Sequence, residues 1–426
     1  MVGMDVTLHR WSEGDLPVLE RANTPEMTRY LGGPESDEQV LERHERYLRL
    51  GSTGEAHMFR VDVDGVPAGG IGYWQTDHDG VDAFETGWEI EPHWQGRGVA
   101  REALRQLIRL VAVDGSRSLL VAYPGVDNPG SNALCRGAGF VRTGSGTMPW
   151  RGGELAFHTW VLDMSPLDLA GREPDVDERF DSLDPGRWWP FYNPHWSSRA
   201  DAAARWSIGT AGLELRIDED TSPWAPAIDG DIRVAHVQTG QFSGPLGSGI
   251  GQHRFRPGLV VAEEQPEHRG WLVHGGVIEV RLAAIAHADA MVAFWPIGFE
   301  ERPDDCGEIC IAEIFGSEID ADGGLVGVGV KPQNDPRLTT DFEKIRVDGD
   351  LTVMHDYAVE WMPGHLRFFI DGRWVKTVAQ AIDYPVQFML DVYEFARSDG
   401  SRDLAALPHV LRVEWVRTFA PLTPPR

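Results

Sequence analysis

The apolar residues of this chain change their spacing once, near residue 165, and that change restricts the fold more than any other feature. Upstream, Ala100, Ala103, Leu104, Leu107, Ile108 and Val111 recur at three- and four-residue intervals. Such spacing gives a helix one buried face and leaves Arg101, Glu102, Arg105 and Arg109 in water. Downstream, helical periodicity disappears. Runs at 277–285, 291–295, 308–315, 357–361, 366–370, 374–378, 387–393 and 411–419 are strand-like, and Asp348-Gly349 and Asp371-Gly372 mark tight turns. Leu411, Val413 and Trp415 alternate with Arg412 and Glu414, as on a strand with one buried face. The sequence therefore predicts a multidomain chain. An α/β domain occupies 1–165, a linker rich in Pro, Gly and acids occupies 166–177, and an all-β sandwich occupies 178–426.

Charge narrows the partners. A formal net charge of -27 argues against nucleic acid, whose phosphates reward basic patches, and suits cationic small molecules such as amino sugars as well as solubility. The longest apolar region, 280–299, is interrupted by Arg281, His287 and Asp289, so no membrane span is expected. The first ten residues lack the basic start and apolar core of a signal peptide, which predicts a cytoplasmic protein. Cys306 and Cys310 would lie about 13 Å apart on an extended strand, too far for a disulfide, and with Cys135 they are expected to be reduced thiols.

In the first domain, 6–8 reads as a strand, 15–22 as a helix, and Ser36-Asp37-Glu38-Gln39 as the capping box of a second helix. Asp64-Gly65 between two apolar runs signals a hairpin. A strand over 83–90 then enters a turn holding Gly96 and Gly98, at the start of the helix already described. The first amides of a helix lack intrahelical partners, and absent Cβ atoms let a ligand approach them, so the turn suits an anionic phosphate. Gln95-x-x-Gly98-x-Ala100 resembles the pyrophosphate loop of the GNAT N-acetyltransferases, and Asn128-Pro129-Gly130 with a short helix and Gly139-Phe140 resembles that family's second signature. The resemblance spans roughly 5–165 and is closest to the ribosomal-protein and antibiotic acetyltransferase branches.

It implies a GNAT fold that takes acetyl-CoA as a substrate and acetylates an amine, such as an amino sugar or an aminoglycoside-like compound. Candidate cofactor-binding residues are Ile90, Gln95, Gly96, Arg97, Gly98, Val99, Ala100 and Asn128; Asn128 equally suits a plain turn. Glu85, Gly87 and Glu89 share one strand face, with Trp88 and Ile90 on the other. Relatives place an acid near Glu85, so Glu85 ranks first and Glu89 second as the base, against the alternative that both merely solvate an edge. Many relatives carry a tyrosine acid where this chain has Cys135, so the acid stays unassigned, with Ser131 or water as alternatives.

In the second domain, Asp305-Cys306-Gly307-Glu308-Ile309-Cys310-Ile311-Ala312-Glu313-Ile314-Phe315-Gly316 resembles the active-site strand of glycoside hydrolase family 16, and the likeness extends over about 176–420. The resemblance implies a concanavalin A-like jelly-roll sandwich with Glu308 as nucleophile and Glu313 as acid/base. Parity places Glu308, Cys310 and Ala312 on one face, so Glu313 joins them only through a β-bulge. A bulge would bring the carboxylates to about 5 Å, as a retaining glycosidase needs. Cys310 stands where the family has an aspartate, and Glu394 is a candidate to compensate for the lost charge. Trp295 is the candidate sugar platform. The resemblance leaves a structural calcium open, although no acidic run has EF-hand spacing. Three readings follow: a transferase fused to a carbohydrate-binding or carbohydrate-hydrolysing domain, a retaining glycosidase with an accessory transferase, or a lectin-like scaffold.

Overall fold

The computed structural model describes residues 4–151 and 153–421. Internal contacts divide the chain into two compact units, Met1–Ser165 and Pro166–Arg426.

The first unit runs β1 (Val6–Arg10), α1 (Leu16–Ala22), α2 (Asp37–Thr53), β2 (Ala56–Val63), β3 (Val66–His78), β4 (Val81–Ile90), α3 (Val99–Asp114), β5 (Leu119–Ala122), α4 (Pro129–Gly137), β6 (Val141–Trp150) and β7 (Gly153–Asp163). Its sheet has the order β1-β2-β3-β4-β5-β7-β6. Local chemistry fixes several ends. Ser36 and Gln39 form the reciprocal capping box of α2, and Asp64 and Gly65, both at positive φ, close the β2–β3 hairpin. Helix α3 buries Val99, Ala103, Leu104, Leu107, Ile108 and Val111, the face its spacing predicted.

One pairing is parallel. Strand β4 meets β5 only at Ala83–Leu119, Phe84–Leu120 and Glu85–Val121, after which β4 continues to Ile90 without it. Among the described residues, no other strand pairs with the rest of β4 on that side.

The second unit is a sandwich of an eight-stranded and a nine-stranded sheet. Leu213, Leu215, Ile278, Val280, Leu411 and Val413 of the first face Val292, Ile309, Ile311, Leu390 and Val392 of the second, all essentially buried. Each such side chain contributes roughly 1.5–3 kcal/mol relative to exposure. All eight runs read as strands from the sequence overlap strands, although 284–285, Trp295 and Phe388 fall outside them. The strand Gly323–Lys331 escaped that reading because glycine-rich segments read as turns. Its glycines are required for packing: a Cβ at Gly327 would stand 2.4 Å from the Phe342 ring, and one at Gly329 2.1 Å from the Asp341 carbonyl oxygen.

The stretch 166–177 is laid along this unit. The Leu167 and Asp175 amides donate to the carbonyls of Gly372 (2.9 Å) and Thr418 (2.8 Å), Arg172 binds the Ala420 carbonyl, and Val176–Glu178 pairs with His409–Phe419. Proline and glycine exclude a helix there, but they leave an extended chain free to pair.

Candidate functional sites

In the first unit, Glu85 and Glu89 lie on the face of β4 that looks toward α2. The Arg43 guanidinium stands 3.4 Å from Glu89 Oε2 and 2.9 Å from Glu35 Oε2, and Glu35 is also paired with Arg151 at 3.1 Å. Burial raises both carboxyls above the usual range; Arg43 opposes this at Glu89, and a Trp74 hydrogen bond opposes it at Glu85. Glu89 is therefore committed to an ion-pair chain, whereas Glu85 has no ion pair with a basic side chain among the described residues. Gly87 between them faces Trp74, which a Cβ would approach to 3.1 Å.

The turn before α3 is held by Gln95, whose Nε2 donates to the Ile90 carbonyl at 2.7 Å. Gln95 thus ties the end of β4 to the loop. Gly96 (φ 70°) and Gly98 (φ 86°) occupy the left-handed region, and a Cβ on either would meet no atom within 4 Å. Gly98 is the cap of α3 and has no side chain to satisfy the first amides. Arg97 is exposed with its guanidinium 5.7 Å from the Trp94 ring centre; Val99 is buried and Ala100 half-buried. Asn128 Oδ1 accepts from the Ser131 amide at 3.1 Å and caps α4, the turn role left open above. The Ser131 hydroxyl accepts from Trp88 Nε1 at 3.3 Å. Burial pushes the Cys135 thiol up to about 12, which disqualifies it as a ready thiolate.

In the second unit, the strand Glu308–Phe315 carries the implied bulge. Cys310 pairs with Gly329 and Glu313 with Gly327, so three steps on one strand meet two on its neighbour. One surplus residue turns Glu313 onto the face of Glu308 and Cys310, and one polar atom from each of the three lies within 4.8 Å of the other two. Lys331 lies between the carboxylates, its Nζ 3.1 Å from Glu308 Oε1 and 2.6 Å from Glu313 Oε2. Gln333 Nε2 donates to Glu308 Oε2 at 2.6 Å. Burial raises the Glu308 carboxyl, with Lys331 and Gln333 working against it, and burial holds the Cys310 thiol well above its ordinary range. Cys310 Sγ donates to the Gly327 carbonyl at 3.6 Å.

Two expectations need correction. Glu394 lies on the opposite face from the pair, one residue out of phase with Asp391 and Tyr393, and is held by Arg233 (3.2 Å) and Arg402 (2.7 Å). It does not replace the missing charge. Trp295 is 7% exposed, donates its indole N–H to Asp391 Oδ2 at 2.9 Å and packs on His253, so its ring is no open platform.

Residues 5–141 match the family described as acetyltransferase (GNAT) domain, and residues 272–394 match glycosyl hydrolases family 16. The chain joins a GNAT acetyltransferase domain to a family 16 domain. Among solved structures, it is similar to a GlcNAcα1-4Gal-releasing endo-β-galactosidase from Clostridium perfringens, with 26% identity and a TM-score of 0.52 over 61% of this chain and 65% of that one. The chain thus spans about 65% of the length of that enzyme. A laminarinase from Flavobacterium sp. UMI-01 shows 16% identity and a TM-score of 0.41 over 58% of this chain and 100% of its own. An acetyl transferase from Salmonella typhimurium, titled as modifying the N-terminal serine of ribosomal protein L7/L12, shows 20% identity and a TM-score of 0.34 over 39% of this chain and 98% of its own. No curated protein matches.

Two residues of the family 16 domain escaped the sequence reading. Lys331 sat in a glycine-rich run without a local motif. Asp391 shares the Glu313 side of the sheet through their common neighbour Ala293, and its Oδ2 binds His236 Nδ1 (2.9 Å), Trp295 and Tyr393 (3.2 Å). The alternation of Met389, Asp391 and Tyr393 with Leu390 and Val392 was the available signal. Among the described residues, no helix is long and apolar enough to cross a membrane.

Proposed function

We propose that the GNAT domain transfers the acetyl group of acetyl-CoA to a small-molecule amine, such as an amino sugar or aminoglycoside-like compound. The observation that carries this reading is the division of β4 from β5 beyond Glu85, beside a helix whose glycine cap leaves its first amides unclaimed. The amides from Gly96 to Ala100 would take the diphosphate, and the open edge of β4 up to Ile90 would pair with the pantetheine amides. Glu85 would take the proton of the ammonium, and the free amine would attack the thioester carbon. As the tetrahedral intermediate collapses, the C–S bond breaks and the thiolate takes a proton. Acetyl-CoA supply assigns this activity to the cytoplasm. Calorimetry of the full chain with acetyl-CoA, followed by mass-spectrometric screening of an amine panel, tests the proposal; absence of both heat and acetylated product would overturn it.

For the family 16 domain, we infer recognition and retaining hydrolysis of a β-galactoside glycan at Glu308 and Glu313. The bulge and the 4.8 Å grouping support the catalytic geometry, and the likeness to the endo-β-galactosidase supports the glycan class. Release of reducing sugar that disappears in Glu308→Gln is the expected result.

A further inference from the structure

The Lys331 ammonium is set between the two glutamates by the sheet itself. Lys331 pairs in register with Glu308 across the strands, and its Nζ stands 4.6 Å from the centre of the Phe342 ring. That ring occupies the space a Cβ on Gly327 would need. Glu313 reaches the same point through the bulge and accepts from Nζ at 2.6 Å. The other near neighbours do not take over this contact: the Cys310 thiol is turned to Gly327, Gln333 is turned to Glu308, and Asp391 is held by His236, Trp295 and Tyr393.

An acid/base residue must present a proton to the leaving oxygen, whereas a nucleophile must present a bare carboxylate. An ammonium only donates, so the oxygen it touches on each carboxylate must accept and cannot itself hold out a proton. Resting on the glycosidase reading above, we propose that Lys331 is a charge clamp that readies Glu308 as nucleophile and withholds Glu313 as proton donor. Lys331 is thus a positioning residue, and the clamp makes hydrolysis unusually dependent on the leaving group. With a phenolate leaving group, Glu308 forms its bond to the anomeric carbon and the aryl oxygen departs as an anion without a proton. With an alkoxide leaving group, the glycosidic C–O bond breaks only as Glu313 delivers a proton to the departing oxygen.

The test compares the dinitrophenyl and methyl β-glycosides of GlcNAcα1-4Gal on the full chain. Lys331→Met should raise the methyl-to-dinitrophenyl rate ratio by about tenfold or more, and Lys331→Arg, which keeps the charge, should hold the wild-type ratio. An unchanged ratio in Lys331→Met, or an equal fall on both substrates, would overturn the clamp. Dinitrophenyl cleavage that survives in Glu308→Gln, or a wild-type chain inert to both glycosides, would overturn the glycosidase reading instead. The clamp is then decided by limiting acetic anhydride. Lys331, Lys344 and Lys376 are the only lysines in the chain, so the last two serve as internal references. Glu313→Gln should raise Lys331 labelling relative to them by about tenfold, and unchanged labelling sinks the clamp.

Discussion

Glu85 is the last residue of β4 to pair with β5, opposite Val121, and the sheet divides immediately beyond it. The carboxylate therefore marks the fork at which one strand edge becomes free. On the proposed transferase reading, two requirements of acyl transfer, an extended binding edge and a proton acceptor, would meet at one backbone position.

Glu85→Gln should lower the kcat of acetyl transfer by about 10²–10⁴ while leaving acetyl-CoA affinity near that of the wild type. Burial holds the Glu85 carboxyl above the usual range, so the active, ionised form is lost as pH falls through that raised range. The wild-type rate should decline on acidification there, and the variant should lack that limb. Steady-state rates across pH read both effects.

Gly98→Ala places a Cβ at φ 86° in front of the first amides of α3. A non-glycine residue in this conformation costs about 1–2 kcal/mol, so acetyl-CoA should bind roughly tenfold more weakly and the melting temperature should fall by a few degrees. An unchanged dissociation constant by calorimetry would remove this turn from the diphosphate site.

Glu300 supplies a pH-dependent term to the stability of the family 16 domain. Burial raises its carboxyl to about 7, against the His253 amide and Arg254. A carboxyl raised on folding stabilises fully below its unfolded value and loses that contribution as pH rises through about 7. The difference in stability between wild type and Glu300→Gln should therefore change by roughly 3 kcal/mol between acidic and neutral pH, with the wild type losing ground as pH rises. Denaturant melts at several pH values measure the difference and cancel the opposing contributions of His195 and His253, whose burial depresses them to about 4 and about 3.

Asp391→Ala would strand three buried partners, His236, Trp295 and Tyr393. The expected loss is about 3–5 kcal/mol, with a smaller loss in Asp391→Asn, which keeps an acceptor. Equal melts for the two variants would show that the charge, and not the hydrogen bonding, is what Asp391 supplies.

What the sequence revealed was local. The α3 spacing, the glycine turn, the capping box at Ser36 and the parity of the Glu308 strand are all properties of neighbouring residues, and the bulge follows once that parity is set against the family 16 resemblance. Contacts fixed by pairing across the sheet stayed hidden. Lys331 reaches the carboxylates only because Gly327 and Gly329 let the next strand and Phe342 close in, and no short motif announces that. The face of Glu394 depends on the registry of its strand with Ala290–Phe294, and the burial of Trp295 depends on Asp391, 96 residues away.

The surplus residue between Cys310 and Glu313 makes the family 16 site vulnerable in an uncommon way. Substitution at Ile311 or Ala312 would disturb packing, whereas deleting either one would rotate the downstream half of the strand and send the second glutamate into the interior. Loss of a single codon, in frame, would thus dismantle the proposed site while both of its glutamates remain encoded.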